Sequence, residues 1–422
     1  MLVASGALAL AYAFPGYMNY DAAAQLAQAR ARVFDDWHPP VMAKYWHLIE
    51  HVWPGPLPLL LLQLALFLWG LYRLLAPRLG DRRAAVSASM ILVFPPVLVV
   101  MAVVWKDAQM IAWLIAGLAL SLDPRRWHKA LGIALLCIAI ALRYNASAAL
   151  LPLTALIVVA PGMRALKAAA LSLALFAAIV LAAAAVNSHF TTRHSHPWVH
   201  TNAIHDIAGT LCKAGPLSDD ELRAELAGMK LHQPDHLQQW LCTDYSPRWW
   251  FSLLDDKVGV FEAKPDDAEL AARRTAWSTV VRSHPRSFLV HRLTVFAAVL
   301  GLDGAVPDEP VCQTFGTPLQ AERLGLAHDL SSIQTALGDV FNAFAKTPLF
   351  RPWLYALVAL VLAGYAVKKR EGLLLALVTS GLLYEAAYLI GAAGAPYRYS
   401  HYLIVCTCAG LALLQRYRPT SA

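Results

Sequence analysis

Charged residues are scarce in this chain. Only 15% of its 422 residues are Asp, Glu, Lys or Arg, whereas 58% are hydrophobic and the mean hydropathy is +0.48, which excludes an ordinary set of soluble domains. The sequence has no Gly-rich phosphate loop and no internal repeat, which argues against a nucleotide-dependent enzyme and against a transporter built from paired repeats. Its start also has no basic region, so we expect a retained first helix rather than a cleaved signal peptide.

The apolar segments have the length of membrane-spanning helices. A helix needs roughly 20 mainly apolar residues to cross the hydrocarbon core, because it must satisfy its own backbone hydrogen bonds there. The sequence therefore predicts an all-α polytopic membrane protein of about ten transmembrane helices. The predicted spans are Leu2–Phe14, Leu57–Ala76, Ala84–Trp105, Gln109–Leu122, Ala130–Leu142, Ala146–Val159, Ala168–Val186, Trp353–Val367, Leu373–Ile390 and Tyr402–Leu414.

The short basic loops predict the orientation. Cytoplasmic loops hold the excess of Lys and Arg, and five basic clusters fall on one side of the ten-span arrangement. We therefore expect a multi-pass protein of the bacterial inner (plasma) membrane with both termini in the cytoplasm. These clusters lie beside anionic headgroups and account for the net charge of +7, so membrane lipids rather than nucleic acid are the expected partners. The clusters are Arg78 with Arg82 and Arg83, Arg125 with Arg126 and Lys129, Arg164 with Lys167, Lys368 with Lys369 and Arg370, and Arg416 with Arg418.

Three outward segments, 15–56, 187–286 and 303–352, are too long to be plain connectors, and loops of that length are usually functional. The apolar stretch Ser287–Leu302 predicts an interfacial or re-entrant helix on the outer surface. We divide the chain into an N-terminal transmembrane module (1–186) containing the loop 15–56, a periplasmic loop region (187–352) with the interfacial helix 287–302, and C-terminal transmembrane helices (353–422).

Six cysteines are present. In an oxidising periplasm Cys212 and Cys242 could close a loop of about thirty residues, which would leave Cys312 unpaired or competing for a partner. The others, Cys137, Cys406 and Cys408, lie in predicted spans and are interpreted as packing residues.

Asp21 lies just beyond the first span, ahead of the helical stretch Ala22–Phe34. A carboxylate at the membrane boundary can take a proton from an acceptor hydroxyl or orient it for attack. The alternative is a helix N-cap, worth about 1 kcal/mol. The turn Asp36-Trp37-His38-Pro39-Pro40 follows, where two prolines end the helix and where Trp37 could equally belong to an aromatic belt.

Charged side chains recur at other outer helix ends. Lys106 and Asp107 lie between the third and fourth spans, and Arg143 follows the fifth. Arg398 stands between Tyr397 and Tyr399 ahead of the last span. Ionisable groups at that depth are costly and tend to face a water-filled cavity, although each could also snorkel to the interface.

Tyr20-Asp21 and Asp36-Trp37-His38-Pro39-Pro40 together resemble the GT-C superfamily of membrane glycosyltransferases that use polyprenyl-phosphate sugars. Lipid A aminoarabinose transferases and protein O-mannosyltransferases belong to this superfamily. Its members have an acidic residue at the outer end of the first helix, an amphipathic loop helix, and a W-x-x-P or H-P-P-like turn. Many carry two adjacent acids, whereas Ala22 follows Asp21 here, so the resemblance does not require a metal.

The resemblance implies transfer of a sugar from a polyprenyl-phosphate donor to a periplasmic or lipid-linked glycan or lipid acceptor. Asp21 would act on the acceptor, with Asp107 as the second acidic residue of the family, and no cofactor is required although a divalent metal is compatible. The residues expected to contact substrate are Asp36, Trp37, His38, Lys106, Arg143, His205, Arg292, Arg398 and Tyr399.

The roles of two candidate residues and two alternative functions stay open. His205 follows a run of histidines whose spacings, such as His194-x-His196, fit no standard metal site. Arg292 could instead anchor its helix to headgroups. The alternative functions are a transporter or flippase for lipid-linked glycans and a transferase of the O-antigen-ligase type.

Overall fold

The computed structural model describes residues 1–160, 162–232, 235–254, 259–326 and 328–415. The described residues form helices and isolated β-bridges but no sheet, which confirms the all-α prediction for them. The α-helices are α1 (Leu2–Ala13), α2 (Tyr20–Ala31), α3 (Val41–Glu50), α4 (Leu57–Leu79), α5 (Asp81–Val93), α6 (Pro95–Met101), α7 (Lys106–Ser121), α8 (Arg126–Leu142), α9 (Ser147–Val158), α10 (Ala165–Phe190), α11 (Ile204–Lys213), α12 (Asp219–Glu225), α13 (Leu237–Asp244), α14 (Asp267–Ser283), α15 (Pro285–Val299), α16 (Pro318–Leu324), α17 (Ser332–Ala345), α18 (Pro352–Lys369), α19 (Gly372–Ala386), α20 (Tyr388–Gly391) and α21 (His401–Leu413). Short 3-10 helices cover Tyr144–Ala146, Phe251–Leu254, Pro348–Phe350 and Tyr397–Ser400, and a π-helix covers Trp198–Ala203.

Four helical segments of the described chain are long and apolar enough to cross a membrane. They support a membrane protein, as the composition predicts. The four are Leu57–Leu79, Ala165–Phe190, Pro352–Lys369 and Gly372–Gly391.

Other predicted spans are shorter or broken. Helices α1, α7, α8, α9 and α21 have 12, 16, 17, 12 and 13 residues, so the count of ten spans stays a prediction. The prediction of one continuous helix over Ala84–Trp105 is wrong, because the chain bends by 72° between α5 and α6. Pro95 and Pro96 cause this break, since proline lacks an N–H donor and forces an extended backbone on the preceding Phe94. Arg416 and Arg418 of the fifth basic cluster lie outside the described residues.

The chain folds into two compact units. Unit 1 comprises Met1–Arg193, Glu309–Glu385 and Arg398–Ala422, and unit 2 comprises His194–Asp308 and Ala386–Tyr397. In unit 1, α7 is buried along almost its whole length and packs against α4 and α8. Gly70 on α4 permits the first contact, because a Cβ there would lie 2.8 Å from the backbone nitrogen of Ala116. Small residues at such crossings let helix backbones approach closely, which fixes the position of the α7 N-terminus.

Unit 2 has its own apolar core, which includes Ile207, Leu241, Phe261 and Val280. Its helices α11 and α15 approach closely at Gly209, where a Cβ would overlap the ring of His291. Helix α15 begins at Pro285 and ends at Val299, two to three residues earlier than the stretch 287–302 that the sequence predicts as interfacial. Proline favours this start because the first helical position needs no N–H donor.

The structure decides the cysteine pairing that the sequence left open. Cys212 and Cys242 form a disulfide with their Cα atoms 5.4 Å apart. Cys312 is therefore a free, buried thiol whose sulfur lies 3.4 Å from Oγ1 of Thr314.

Candidate active site

Asp21 does not cap its helix. The N-cap of α2 is Asn19, whose side-chain oxygen accepts a hydrogen bond from the backbone N–H of Ala22 at 3.1 Å. Asp21 lies in the first turn with its side chain 22% exposed, and its carboxylate is bound by a residue from the far end of the chain. The N-cap interpretation of Asp21 is therefore wrong, and its carboxylate is available for another role.

Arg398 joins the two predicted catalytic carboxylates. Its Nη2 donates to Oδ2 of Asp21 at 2.6 Å, and its Nε lies 3.9 Å from Oδ2 of Asp107. Asp107 in turn accepts a hydrogen bond from Nη1 of Arg143 through its Oδ1. Four predicted site residues from four separate segments of unit 1 thus form one continuous chain of charges.

His38 and Lys106 extend this chain on the other side of Asp21. Nζ of Lys106 is hydrogen-bonded to Nδ1 of His38, and Nε2 of His38 lies 3.7 Å from Oδ1 of Asp21. We refer to Asp21, His38, Lys106, Asp107, Arg143 and Arg398 as the charge cluster. It contains three cationic side chains and two carboxylates, so it carries a net positive charge of one while Lys106 is protonated and His38 is neutral.

Aromatic rings cover two of the cations. The guanidinium carbon of Arg398 lies 4.9 Å from the ring centroid of Trp105, and that of Arg143 lies 5.1 Å from the ring of Tyr399. Cation–π contacts of this kind strengthen when they are shielded from water. Tyr399 therefore takes part in the cluster through its ring.

Some hydrogen-bonding positions of the cluster are not used by the protein. Within the described residues, Nε and Nη1 of Arg398 and Oδ2 of Asp107 are buried and find no hydrogen-bond partner. A buried guanidinium nitrogen without an acceptor costs more than an ordinary hydrogen bond gains. Such donors suit a ligand that brings its own oxygen acceptors, as a phosphate does.

The protonation of the cluster follows from its burial and its charges. Burial alone would raise the pKa of Asp21, but Arg398 and the other cations nearby outweigh it and hold the pKa well below its usual value. Burial, helped by the charge of Lys106, lowers the pKa of His38 to about 3. Asp21 is therefore a carboxylate and His38 a neutral imidazole at physiological pH.

Buried polar contacts fix the segments that carry these side chains. Gln109 on α7 donates to Oε1 of Gln63 at 2.8 Å and to the carbonyl of Leu59 at 3.0 Å, which ties the start of α7 to α4. Ser400 donates to Oε1 of Glu385 at 2.6 Å, which ties the 3-10 turn bearing Arg398 to α19. Sequence reasoning missed Glu385, although a carboxyl group inside an apolar segment is itself a signal.

Asp36 and Trp37 are half-buried in the turn that precedes His38. The carbonyl of Asp36 accepts a hydrogen bond from the hydroxyl of Tyr144 at 2.9 Å. The neighbouring Asp35, which sequence reasoning missed, binds Arg193 at 2.8 Å and the backbone N–H of Trp37 at 3.1 Å. A substrate contact by Asp36 or Trp37 stays a prediction.

His205 and Arg292 belong to unit 2 and have protein partners there. Nε2 of His205 lies 2.7 Å from the carbonyl of Ser246, and Nη1 of Arg292 donates to Oδ1 of Asp206 at 2.9 Å. Oδ1 of Asp206 also lies 3.0 Å from Nε2 of His291. This arrangement is that of a buried polar network, and a substrate contact by either predicted residue stays a prediction.

Within the described residues, no group of three or more His, Cys, Asp or Glu side chains is arranged to hold a metal ion. Two surface cavities contain none of the predicted site residues, since one is lined by Arg78 and Glu371 and the other by Arg73 and Asp123. No protein-family model, curated protein or solved structure matches this chain.

Proposed function

We propose that this chain is a membrane glycosyltransferase of the GT-C type, which moves a sugar from a polyprenyl-phosphate donor to an acceptor hydroxyl at the outer face of the bacterial inner membrane. The observation that carries the proposal is the charge cluster. It combines a carboxylate, Asp21, with the cation Arg398, whose buried Nε and Nη1 make no hydrogen bond within the described residues. The proposed orientation places the charge cluster at the outer face of the membrane and both termini in the cytoplasm.

The reaction makes two demands that the cluster can meet. The acceptor oxygen forms a bond to the anomeric carbon as its proton passes to Asp21, which is ionised and can accept a hydrogen bond from that hydroxyl. The bond between that carbon and the phosphate oxygen breaks, and the leaving phosphate gains one negative charge. Arg398 and Lys106 can stabilise that charge in a site shielded from water.

Transfer by purified protein in lipid nanodiscs tests this function. A radiolabelled polyprenyl-phosphate sugar is supplied with a cell-envelope lipid fraction, and labelled product is counted. We expect Asp21→Asn to lower the transfer rate by on the order of 100-fold or more, because the amide cannot accept the proton. The matched control is Asp220→Asn in unit 2, since the side chain of Asp220 is 94% exposed, and it should transfer at the wild-type rate. Wild-type transfer by Asp21→Asn would overturn the assignment of Asp21.

A transporter or flippase is the second candidate. The 72° bend between α5 and α6 favours it, because transporters bind substrate at broken helices. Counterflow of a labelled lipid-linked glycan without a covalent product would support transport. A ligase of the O-antigen type would tolerate Asp21→Asn and fail when His205 or Arg292 is replaced.

A further inference from the structure

The ring of His38 lies between a cation and the proposed base. Its Nδ1 is hydrogen-bonded to Nζ of Lys106, and its Nε2 lies 3.7 Å from Oδ1 of Asp21. The side chain is buried, so water does not compete for either ring nitrogen. Each nitrogen therefore has one defined neighbour.

We propose that Lys106 sets the tautomer of His38, and that His38 is a positioning residue which directs an N–H donor at Asp21 during transfer. The inference rests on the proposed function. An ammonium group has three donors and no acceptor, so the nitrogen that it contacts must be unprotonated. In a neutral imidazole the proton then lies on the other nitrogen, Nε2.

The N–H of Nε2 faces the oxygen of Asp21 that Arg398 does not bind. Arg398 donates to Oδ2, whereas Oδ1 is the oxygen nearest to His38. The separation of 3.7 Å is too long for a hydrogen bond, and such contacts commonly tighten when substrate binds. A hydrogen bond from Nε2 of His38 to Oδ1 of Asp21 would fix the plane of the carboxylate. It would leave the other lone pair of Oδ1 for the acceptor hydroxyl.

The charge of Lys106 controls this arrangement. Burial lowers the pKa of Lys106, and the carboxylates of Asp21 and Asp107 oppose that effect without cancelling it. The guanidiniums of Arg143 and Arg398 lower the pKa further, to about 7. The four charged groups lie on α2, on α7, at the end of α8 and in the turn before α21, and the ring of His38, from the turn between α2 and α3, contacts Nζ of Lys106 directly.

A neutral Lys106 would no longer require a bare Nδ1. Its amine lone pair can accept a hydrogen bond from a protonated Nδ1 of His38, and in that tautomer a bare lone pair on Nε2 faces the carboxylate of Asp21. Two acceptors then oppose each other, and Asp21 loses its donor. The tautomer of His38 should therefore change between about pH 6 and pH 9, as Lys106 loses its proton.

Nitrogen NMR measures this tautomer without any substrate. The protein is labelled with 15N-histidine, and the spectrum of His38→Asn is subtracted to isolate one ring among 15 histidines. At pH 6 we expect a protonated Nε2 and a bare Nδ1, and at pH 9 a larger share of the tautomer that is protonated at Nδ1. In Lys106→Met the tautomer ratio should not change between these pH values. A protonated Nδ1 at pH 6, or a pH response that persists in Lys106→Met, would overturn the inference.

Two His38 variants test the positioning role in the transfer assay. The amide nitrogen of Gln reaches toward the Nε2 position, whereas the shorter Asn reaches only toward Nδ1. We expect His38→Asn to lower kcat by about 10-fold to 100-fold with an unchanged KM for the donor, and His38→Gln to stay within about threefold of wild type. Equal kcat values for the two variants would contradict a role of Nε2.

The two measurements separate this inference from the function on which it rests. If the wild-type protein transfers no sugar, the proposed function fails, while the ring tautomer still decides whether Lys106 controls His38. If transfer occurs and the tautomer at pH 6 is the wrong one, the function stands and the positioning role fails.

Discussion

A buried guanidinium lies beside a buried carboxylate in each unit. The two guanidiniums differ in how many of their N–H donors find an acceptor in the protein. Arg292 of unit 2 is 3% exposed and uses all three of its nitrogens. It donates to Asp206 and to the carbonyls of Leu389, Ala392 and Tyr388 at 2.8 to 3.1 Å. Each nitrogen of this guanidinium therefore has a protein acceptor.

Arg398 of unit 1 is nearly as shielded, with 10% of its side chain exposed, but only Nη2 makes a hydrogen bond within the described residues. A saturated network stabilises a fold, whereas an unsaturated one costs stability until a ligand supplies the missing acceptors. The complete set of hydrogen-bond partners is compatible with a structural role for Arg292, whereas the incomplete set supports the proposed binding role of Arg398.

The matched substitutions Arg292→Met and Arg398→Met test most directly whether the two arginines differ in their contribution to stability. We expect Arg292→Met to lower the free energy of unfolding by about 3–5 kcal/mol, because Asp206 and three carbonyls lose their donor. Arg398→Met should cost less than about 2 kcal/mol, because it also removes two buried donors that have no acceptor within the described residues. Equilibrium unfolding in mixed micelles measures both, and equal losses would contradict the distinction.

Removal of the disulfide should weaken unit 2 without affecting the charge cluster. Cys212 and Cys242 are separated by 30 residues, and closing a loop of that length stabilises a fold by about 3–4 kcal/mol through the unfolded state. We expect the double variant Cys212→Ser, Cys242→Ser to lose this amount and to keep wild-type transfer at 25 °C. The control is Cys137→Ser, which removes a free thiol, and a comparable loss there would exclude the disulfide as the cause.

Acid should destabilise unit 2 through a buried histidine. Burial, with smaller contributions from nearby charges, lowers the pKa of His205 to about 3. Below the unfolded value of about 6.5 the unfolded chain binds a proton that the native chain does not, so stability falls with pH. Between pH 7 and pH 5 we expect a loss of about 2 kcal/mol from this group. His205→Gln should remove that part of the pH dependence, and an unchanged profile would show that His205 does not contribute to it.

The smallest effect concerns the helix cap beside the charge cluster. Asn19→Ala should cost about 1 kcal/mol of stability, because the backbone N–H of Ala22 loses its acceptor, and should leave the transfer rate near wild type. Asp21→Asn should do the opposite, with little loss of stability and a large loss of transfer. Comparable stability losses in the two variants would indicate that Asp21 also stabilises the start of α2.

The sequence was sufficient to predict the all-α class and the residue types of the charge cluster, because each depends on composition or on position near a helix end. It left the Cys212–Cys242 pairing open, because sequence spacing alone does not decide which cysteines meet. It could not predict the individual contacts. Arg398 and Asp21 are 377 residues apart, and only packing decides that they pair at 2.6 Å. Two consecutive prolines at Pro95 are a signal for the bend, but the apolar run Ala84–Trp105 also has the length of one continuous span. The difference between Arg292 and Arg398 also depends on packing, since both are an Arg near a predicted helix end.

Binding of a polyprenyl phosphate, the proposed leaving group, tests most directly whether Arg398 belongs to an anion site. Wild-type protein, Arg398→Met and the exposed-site control Asp220→Asn are titrated in nanodiscs with a fluorescent polyprenyl phosphate. We predict saturable binding by the wild-type protein and by Asp220→Asn, and binding weaker by about tenfold or more in Arg398→Met, because a charged hydrogen bond to phosphate is lost. Equal affinity of Arg398→Met and the wild-type protein would contradict the account.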